Sequence, residues 1–392
     1  MVRLPSQLFF FDRAFRAFFL GGSLFTGVAM LIWFWQYPAA MTTFSGIPSM
    51  YWHAHEMVFG YALATVTGFL LTAVMNWSRE NSASGWRLAW VFACWALARI
   101  GFLLDWPLIW VATFDLLFNL GLLWLFIGPV LRQKLWPQVG LASKFALLLA
   151  ANGVFYAGAF NWLDNGVHMG VIFGLFLVLA INLTMMRRLI PFFTEKALGL
   201  PESVQSKRLD ALALVGFLAL MVAAVFFPQH WATSLIAFPL AGVHFIRLKA
   251  WYHPRIWSVL LLWPLHVSYA FMVTGMALYG LVGLGWVSES IALHALAAGG
   301  IGLLCSSIMA RISLGHTNRN VFEPPKSLVW VFALLAASAV LRVAFPLLLP
   351  EYTVWWVQAS QLGWSLAFLW LTVLYLPILA RPSRKPNSGI LL

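Results

Sequence analysis

Residues 52–77 read WHAHEMVFGYALATVTGFLLTAVMNW. From Met57 to Trp77 no residue is charged. A helix that crosses a bilayer needs about 20 such residues, and this run supplies them. Its head has the opposite character, with His53, His55 and Glu56 within four positions. Ionisable groups are expensive in hydrocarbon, so a cluster of them at the mouth of a span is a candidate functional site.

The rest of the chain extends the same reading. It has 392 residues, 62% hydrophobic and 9% charged, with a mean hydropathy of +0.86. A soluble domain carries about 25% charged residues, which excludes an ordinary water-soluble core. The expected fold is all-α, a single polytopic membrane domain over residues 1–392. The run Phe15–Trp35 is too long for a signal-peptide core and no A-x-A site follows it, so it reads as a retained first helix. The net charge of +12 suggests nucleic acid at first sight, but its distribution gives a membrane-orientation pattern instead. Cys94 and Cys305 both fall in apolar runs and form neither a disulfide framework nor a Cys-x-x-Cys site.

Apolar runs bounded by charge, Pro or Gly predict twelve spans, at about 15–36, 52–76, 86–104, 106–131, 143–163, 168–190, 208–227, 231–249, 257–284, 289–312, 326–349 and 355–379. Pro191 is expected to end the sixth. No linker, low-complexity tract or heptad repeat is evident, and the halves show no inverted repeat by eye. Basic residues fall in alternate connections: Arg3, Arg13 and Arg16; Arg79 and Arg87; Arg132, Lys134 and Lys144; Arg187, Arg188, Lys196, Lys207 and Arg208; Arg247, Lys249 and Arg255; Arg311, Arg319 and Lys326; Arg381, Arg384 and Lys385. Of the 24 Lys and Arg residues, Arg99 and Arg342 alone lie elsewhere. The positive-inside rule then predicts that both termini are cytoplasmic.

On this map His53, His55, His168 and His294 fall within about two turns of the outer surface, and His266 falls near mid-depth on the ninth span. Facing helices can converge such residues on a cofactor. Imidazole suits haem iron, copper and zinc, and the thioether of Met57 adds a soft ligand for copper. The bland alternative is a helix-end histidine that only hydrogen-bonds at the interface. His53 and His55 point about 200° apart on a helix, which favours His55 as the buried ligand. His55, His266 and His294 are the candidate haem ligands; His53, His55, His168, His294 and Met57 are the candidate metal ligands. Glu56 reads as a carboxylate behind a ligating histidine, or as a plain helix N-terminal charge. The small residues Ala297 to Gly302 after His294 permit close helix packing or the approach of a flat macrocycle. Arg99 and Arg342 need partners, with Asp105, Asp115 and Glu351 as candidates. The alternative is that these arginines hold haem propionates.

Four blocks carry a family resemblance. They are Phe15-Arg16-Ala17-Phe18-Phe19-Leu20; Trp52 to Trp77; Arg187-Arg188-Leu189-Ile190-Pro191-Phe192-Phe193-Thr194; and His294-Ala295-Leu296 with Met309-Ala310-Arg311 and Leu314 to Arg319. Through them the chain resembles the NnrS family over nearly its whole length. Ala17 and Met75 stand where the family often has Pro, and Asn318 where Gly is usual. The resemblance implies a bacterial cytoplasmic-membrane protein associated with haem, expected to be b-type, and with copper. It also implies a role in the response to nitric oxide, often beside denitrification genes. Family membership assigns no ligands.

Three readings follow. The first is a haem- and copper-binding protein that limits nitrosative damage, with nitric oxide or a related small molecule as its partner and its metal centre towards the outer side. The second is a twelve-helix transporter of a small solute or metal. The third is a nitric oxide-reducing redox enzyme, disfavoured because the chain has no His-His pair. None involves nucleic acid, and all share the lipid bilayer as environment.

Overall fold

A computed structural model describes residues 9–39, 42–203 and 206–384. Among the described residues twelve helices are long and apolar enough to cross a membrane: α1 Ala14–Gln36, α2 Ser49–Ser78, α3 Gly85–Leu103, α4 Leu108–Arg132, α5 Trp136–Ala159, α6 Gly166–Leu198, α7 Lys207–Phe226, α8 Trp231–Trp251, α9 Trp263–Gly283, α10 Glu289–Gly315, α11 Leu328–Leu348 and α12 Pro350–Leu379. In hydrocarbon every backbone polar group must be satisfied within the chain, so runs of this composition fold as helices.

The count matches the sequence expectation, while several ends differ. α6 runs through Pro191 to Leu198 rather than stopping there. The hydroxyl of Thr194 donates to the carbonyl of Ile190 at 2.7 Å, so one carbonyl beside the proline is taken up locally. α9 starts at Trp263, after a separate 3₁₀ turn at Pro254–Ser258. His266 therefore sits in the first turn of its span and not near mid-depth.

The chain divides into two compact units. The first holds α1–α5, α6 to Val178, α10 from Met309 and α12 from Phe368; the second holds α6 from Leu179, α7–α9, α10 to Ile308, α11, and α12 to Ala367. In the first, α1 packs on α2, α3 on α4, and α4 on α5. Lipid tails are as apolar as leucine, so close backbone approach holds such helices together. α5 and α6 show it: a Cβ on Gly166 would lie 2.8 Å from the Cα of Gly158, and one on Gly170 would lie 2.5 Å from the backbone nitrogen of Phe155. In the second unit α7 packs on α8, α8 on α9, and α9 on α10.

The connection before α2 was not foreseen in the sequence. Thr43–Phe44 (β1) pairs antiparallel with Ile47–Pro48 (β2). Ser45 and Gly46 both have positive φ, at 52° and 82°, the requirement of a two-residue hairpin turn that matches strand twist. Phe44 stacks on Trp52 with centroids 4.1 Å apart, and the backbone N–H of Ser45 donates to Asp105 at 2.5 Å. Asp105 is thus tied to the hairpin rather than paired with Arg99.

Among the described residues two spans contain a π-helical stretch. α2 is π-helical over Glu56–Ala62, and α10 over Ala295–Gly302. Such widened turns are rare and occur frequently at functional sites. Each begins one residue after a histidine singled out in the sequence, His55 in α2 and His294 in α10.

Candidate functional site

The π-helical turn of α2 lies in a fully buried charged cluster in the first unit. His55, Glu56 and Asp115 have no exposed surface, and Arg99 is 3% exposed. Nδ1 of His55 lies 2.9 Å from Oε1 of Glu56, and its Nε2 lies 3.2 Å from Oδ2 of Asp115. Arg99 spans the same two acids, with Nε 2.9 Å from Oε2 of Glu56 and a terminal nitrogen 2.5 Å from Oδ1 of Asp115. Three helices therefore meet at one ring of alternating charge: α2 gives His55 and Glu56, α3 gives Arg99, and α4 gives Asp115.

Neutral groups complete it. Asn152 of α5 donates from its amide to Oδ2 of Asp115 at 2.8 Å, and its Oδ1 lies 3.0 Å from Nε2 of His55. Tyr156 donates its hydroxyl to the same carboxylate at 3.1 Å, and Asn119 donates to the backbone carbonyl of Asp115 at 2.8 Å. The indole N–H of Trp95 donates to the carbonyl of Gly60 at 2.8 Å, which satisfies a backbone acceptor inside the widened turn. Phe155, Phe59 and Phe102 enclose the His55 ring, with centroids 4.2, 5.0 and 5.6 Å away.

With both acids as carboxylates, the hydrogen-bond pattern is that of an imidazole with hydrogen on both nitrogens. Asn152 uses its amide nitrogen on Asp115, so its oxygen is the atom that faces His55. Glu56 is an acceptor only. Both nitrogens of His55 thus face acceptors and both carry hydrogen. The cluster holds two cations, His55 and Arg99, against two anions, Glu56 and Asp115, and is electrically balanced. A buried charge persists where it is paired and hydrogen-bonded in this way.

That arrangement decides how the sequence candidates fare as metal ligands. An imidazole that ligates needs a lone pair, and both nitrogens of His55 are engaged with acceptors. Haem or copper therefore does not fit at His55 in this conformation. Arg99 is held by Asp115 and Glu56. Glu56 stands beside the ring of His55. His53 points away, stacked on Trp33 at 4.9 Å with 5° between the rings. Met57 receives a contact from the hydroxyl of Thr26 at 3.6 Å. His168 lies half-buried in the first turn of α6, and no hydrogen bond or ion pair joins it to the cluster among the described residues. No group of three or more His, Cys, Asp and Glu suited to a metal occurs among the described residues.

The remaining candidates belong to the second unit. His266 is wedged among oxygens, with Nδ1 3.2 Å from the carbonyl of Leu262 and Nε2 3.3 Å from that of Trp251, a structural tie between α9 and the end of α8. His294 differs. Its Nδ1 lies 2.7 Å from the carbonyl of Ser290, which places the hydrogen there and the lone pair on Nε2. Arg342 of α11 donates to the hydroxyl of the same Ser290 at 2.7 Å. A histidine oriented through Nδ1 by a carbonyl, with a guanidinium beside it, fits a haem or copper ligand with an anionic group nearby. Glu351 has no contact with Arg342 among the described ion pairs.

A further network in the second unit was not anticipated. Asp210 of α7 is clamped between Arg187 of α6 and Arg247 of α8, and Nδ1 of His244 lies 2.6 Å from the hydroxyl of Tyr269. Neither this network nor the part played by Asn152 and Tyr156 is legible in the sequence, because each pairing joins residues on different helices. Comparison with curated proteins gives no match. The family whose description is NnrS protein matches residues 9–383, and the chain belongs to the NnrS family.

Proposed function

We propose that this protein acts in the nitric oxide response as a haem- and copper-binding protein of the bacterial inner membrane, with both termini cytoplasmic and its metal centre towards the outer side. NnrS membership supports a membrane protein associated with that response. The observation that carries the metal assignment is His294, with its ring oriented by Ser290 and Arg342 on the same serine. Haem, where bound, supplies an iron that takes small diatomic ligands. His294 would hold the metal through Nε2, Ser290 fixes the tautomer, and Arg342 offers a planar fork for a carboxylate. Orientation rests on the alternation of basic connections.

The test is the visible spectrum and copper content of the purified protein after expression with haem and copper supplied. A Soret band that His294→Ala abolishes and His266→Ala retains is the expected result. A wild-type protein without Soret band and without copper refutes the reading.

The balanced cluster favours a second reading, a proton-coupled transporter. A fully buried imidazolium between two carboxylates, beside a π-helical turn, is the kind of intramembrane group found on proton paths. Proton flux in proteoliposomes that His55→Ala abolishes and His294→Ala leaves intact would select it over the first.

A further inference from the structure

Three segments of the first unit meet at one end of its helices: the start of α1, the loop after α10 and the segment after α12. Arg16, in the first turn of α1 and 4% exposed, clasps the last of these. Its Nη1 donates to the carbonyls of Leu379 at 2.9 Å and Arg381 at 2.8 Å, and its Nη2 donates to the hydroxyl of Ser383 at 2.8 Å. The carbonyl of Leu379 is one that the end of α12 leaves without an intrahelical partner. The loop after α10 completes the clasp. The amide of Asn318 donates to the carbonyl of Arg384 at 2.7 Å, and the backbone N–H of Arg384 donates to the carbonyl of Thr317 at 3.2 Å.

The clasp is built on neutral acceptors, so it gathers positive charge without cancelling it. Arg319 is half-buried, and Arg381 and Arg384 are exposed. Partial burial, with the like charges of Arg384 and Arg381, lowers the pKa of Arg319, so the three guanidiniums act on one another. The charge of Arg319 also reaches Arg16. Among the described residues no ion pair joins any of these four arginines to an acid. Asp12, exposed at the entry to α1, offsets part of the charge of Arg16 and of Arg13 beside it. Like charges held together by hydrogen bonds repel one another, and an anion seated among them relieves that repulsion.

We propose that this clasp binds the headgroup of an anionic glycerophospholipid, with Arg319, Arg381 and Arg384 on its phosphate. The planar fork of a guanidinium matches phosphate oxygens, and each of the three has N–H groups to offer. Position favours a lipid over free phosphate. The site stands where α1, α10 and α12 reach the ends of their apolar runs, the level at which basic pockets between spans take phospholipid headgroups. The 3₁₀ turn Phe9–Phe11 comes just before α1, with all three rings half-buried. The guanidinium of Arg16 lies 5.7 Å from the ring centroid of Phe9. Phenylalanine beside basic side chains suits the boundary between headgroup and acyl chain. The backbone hydrogen bonds between 317–318 and 384 fix the spacing of the three arginines before any lipid arrives.

The experiment is thermal unfolding of the full-length protein in non-ionic maltoside micelles, with dioleoyl-phosphatidylglycerol or dioleoyl-phosphatidylcholine titrated in at constant ionic strength. The wild type is expected to show a saturable rise in melting temperature with the anionic lipid, larger than with the zwitterionic one. A basic residue beside an anionic headgroup is worth about fivefold in affinity. Arg319→Gln/Arg381→Gln/Arg384→Gln should therefore raise the lipid fraction needed for half the rise by about a hundredfold. Arg381→Gln/Arg384→Gln changes exposed side chains only, keeps the backbone clasp and serves where the triple variant does not accumulate; about a 25-fold increase is expected. Lys207→Gln/Arg208→Gln/Lys249→Gln removes the same charge from exposed positions of the second unit and should leave the response unchanged. Equal responses to the two lipids, a response that the arginine variants keep, an equal loss in the charge-matched variant, or the same rise with sodium phosphate alone overturns the inference.

Discussion

The balanced cluster of the first unit makes a quantitative demand. Arg99→Met removes one cation and leaves Glu56 and Asp115 facing the single charge of His55. Both lost pairs are closer than 4 Å, the separation at which a unit pair is worth about 4 kcal/mol at an effective dielectric constant of 20. Arg99 also gives up its own desolvation cost, so the net loss is that of breaking a buried pair, about 3–5 kcal/mol. Adding Glu56→Gln removes the surplus negative charge, and the remaining His55 and Asp115 balance. The double variant is therefore expected to be more stable than Arg99→Met alone, with a coupling of about 2 kcal/mol or more between the two sites. The assay is a double-mutant cycle by denaturant titration in mixed micelles, with helicity as readout. Additive losses, with the double variant below both singles by their sum, would show that the four charges do not act as one unit and would refute the reasoning.

His316, just beyond the end of α10, gives a pH prediction. Burial, and then the nearby charge of Arg13, push its pKa down to about 4 from 6.5, and it stacks loosely on Phe15 with centroids 5.6 Å apart. The unfolded chain binds the proton more tightly, so this contribution is complete above about pH 6.5 and is lost as pH falls towards 4. Its size is about 3 kcal/mol at most, and a wild type that loses no more stability over that window than His316→Phe would contradict it. At the α5–α6 crossing, Gly170→Ala places a Cβ 2.5 Å from the backbone nitrogen of Phe155. Backbone cannot swing aside, so a loss of about 2 kcal/mol or more is expected in the same unfolding assay, whereas Gly153→Ala, with nothing within 4 Å of its Cβ, should be close to neutral.

The membrane fold was legible because one property, about 20 apolar residues in a row, decides it. Helix ends were less so. Trp257 and Val259 are as apolar as a span, yet the structure gives them to a 3₁₀ turn and an extended residue before α9, and this displaced His266 from its expected depth. The site was half legible. His55, Glu56, Arg99 and Asp115 stood out because each is an ionisable group inside an apolar run. Asn152 and Tyr156 did not, since a neutral polar residue is common in a span and 37 positions separate Asn152 from Asp115. The π-helical turns have no hydropathy signature, because the period shifts over only seven or eight residues.

What the sequence suggested as a metal ligand at His55 the geometry turns into a proton-bearing group, and the two can be told apart directly. A ligating or neutral imidazole has one nitrogen without hydrogen. In the cluster Nδ1 faces Glu56 at 2.9 Å and Nε2 faces Asn152 and Asp115 at 3.0 and 3.2 Å, and as carboxylate and amide oxygens these atoms accept. Nitrogen chemical shifts of ¹⁵N-histidine-labelled protein, with the His55 signals assigned by their loss in His55→Gln, should therefore report two protonated ring nitrogens at neutral pH. Removing Asp115 by Asp115→Asn introduces an amide that can donate, so one nitrogen is expected to lose its hydrogen there. A deprotonated Nε2 in the wild type would require the Asn152 amide to be reversed. That reversal sets its oxygen against the carboxylate of Asp115, 2.8 Å away, and the cost of two facing acceptors makes such a result incompatible with the cluster as drawn.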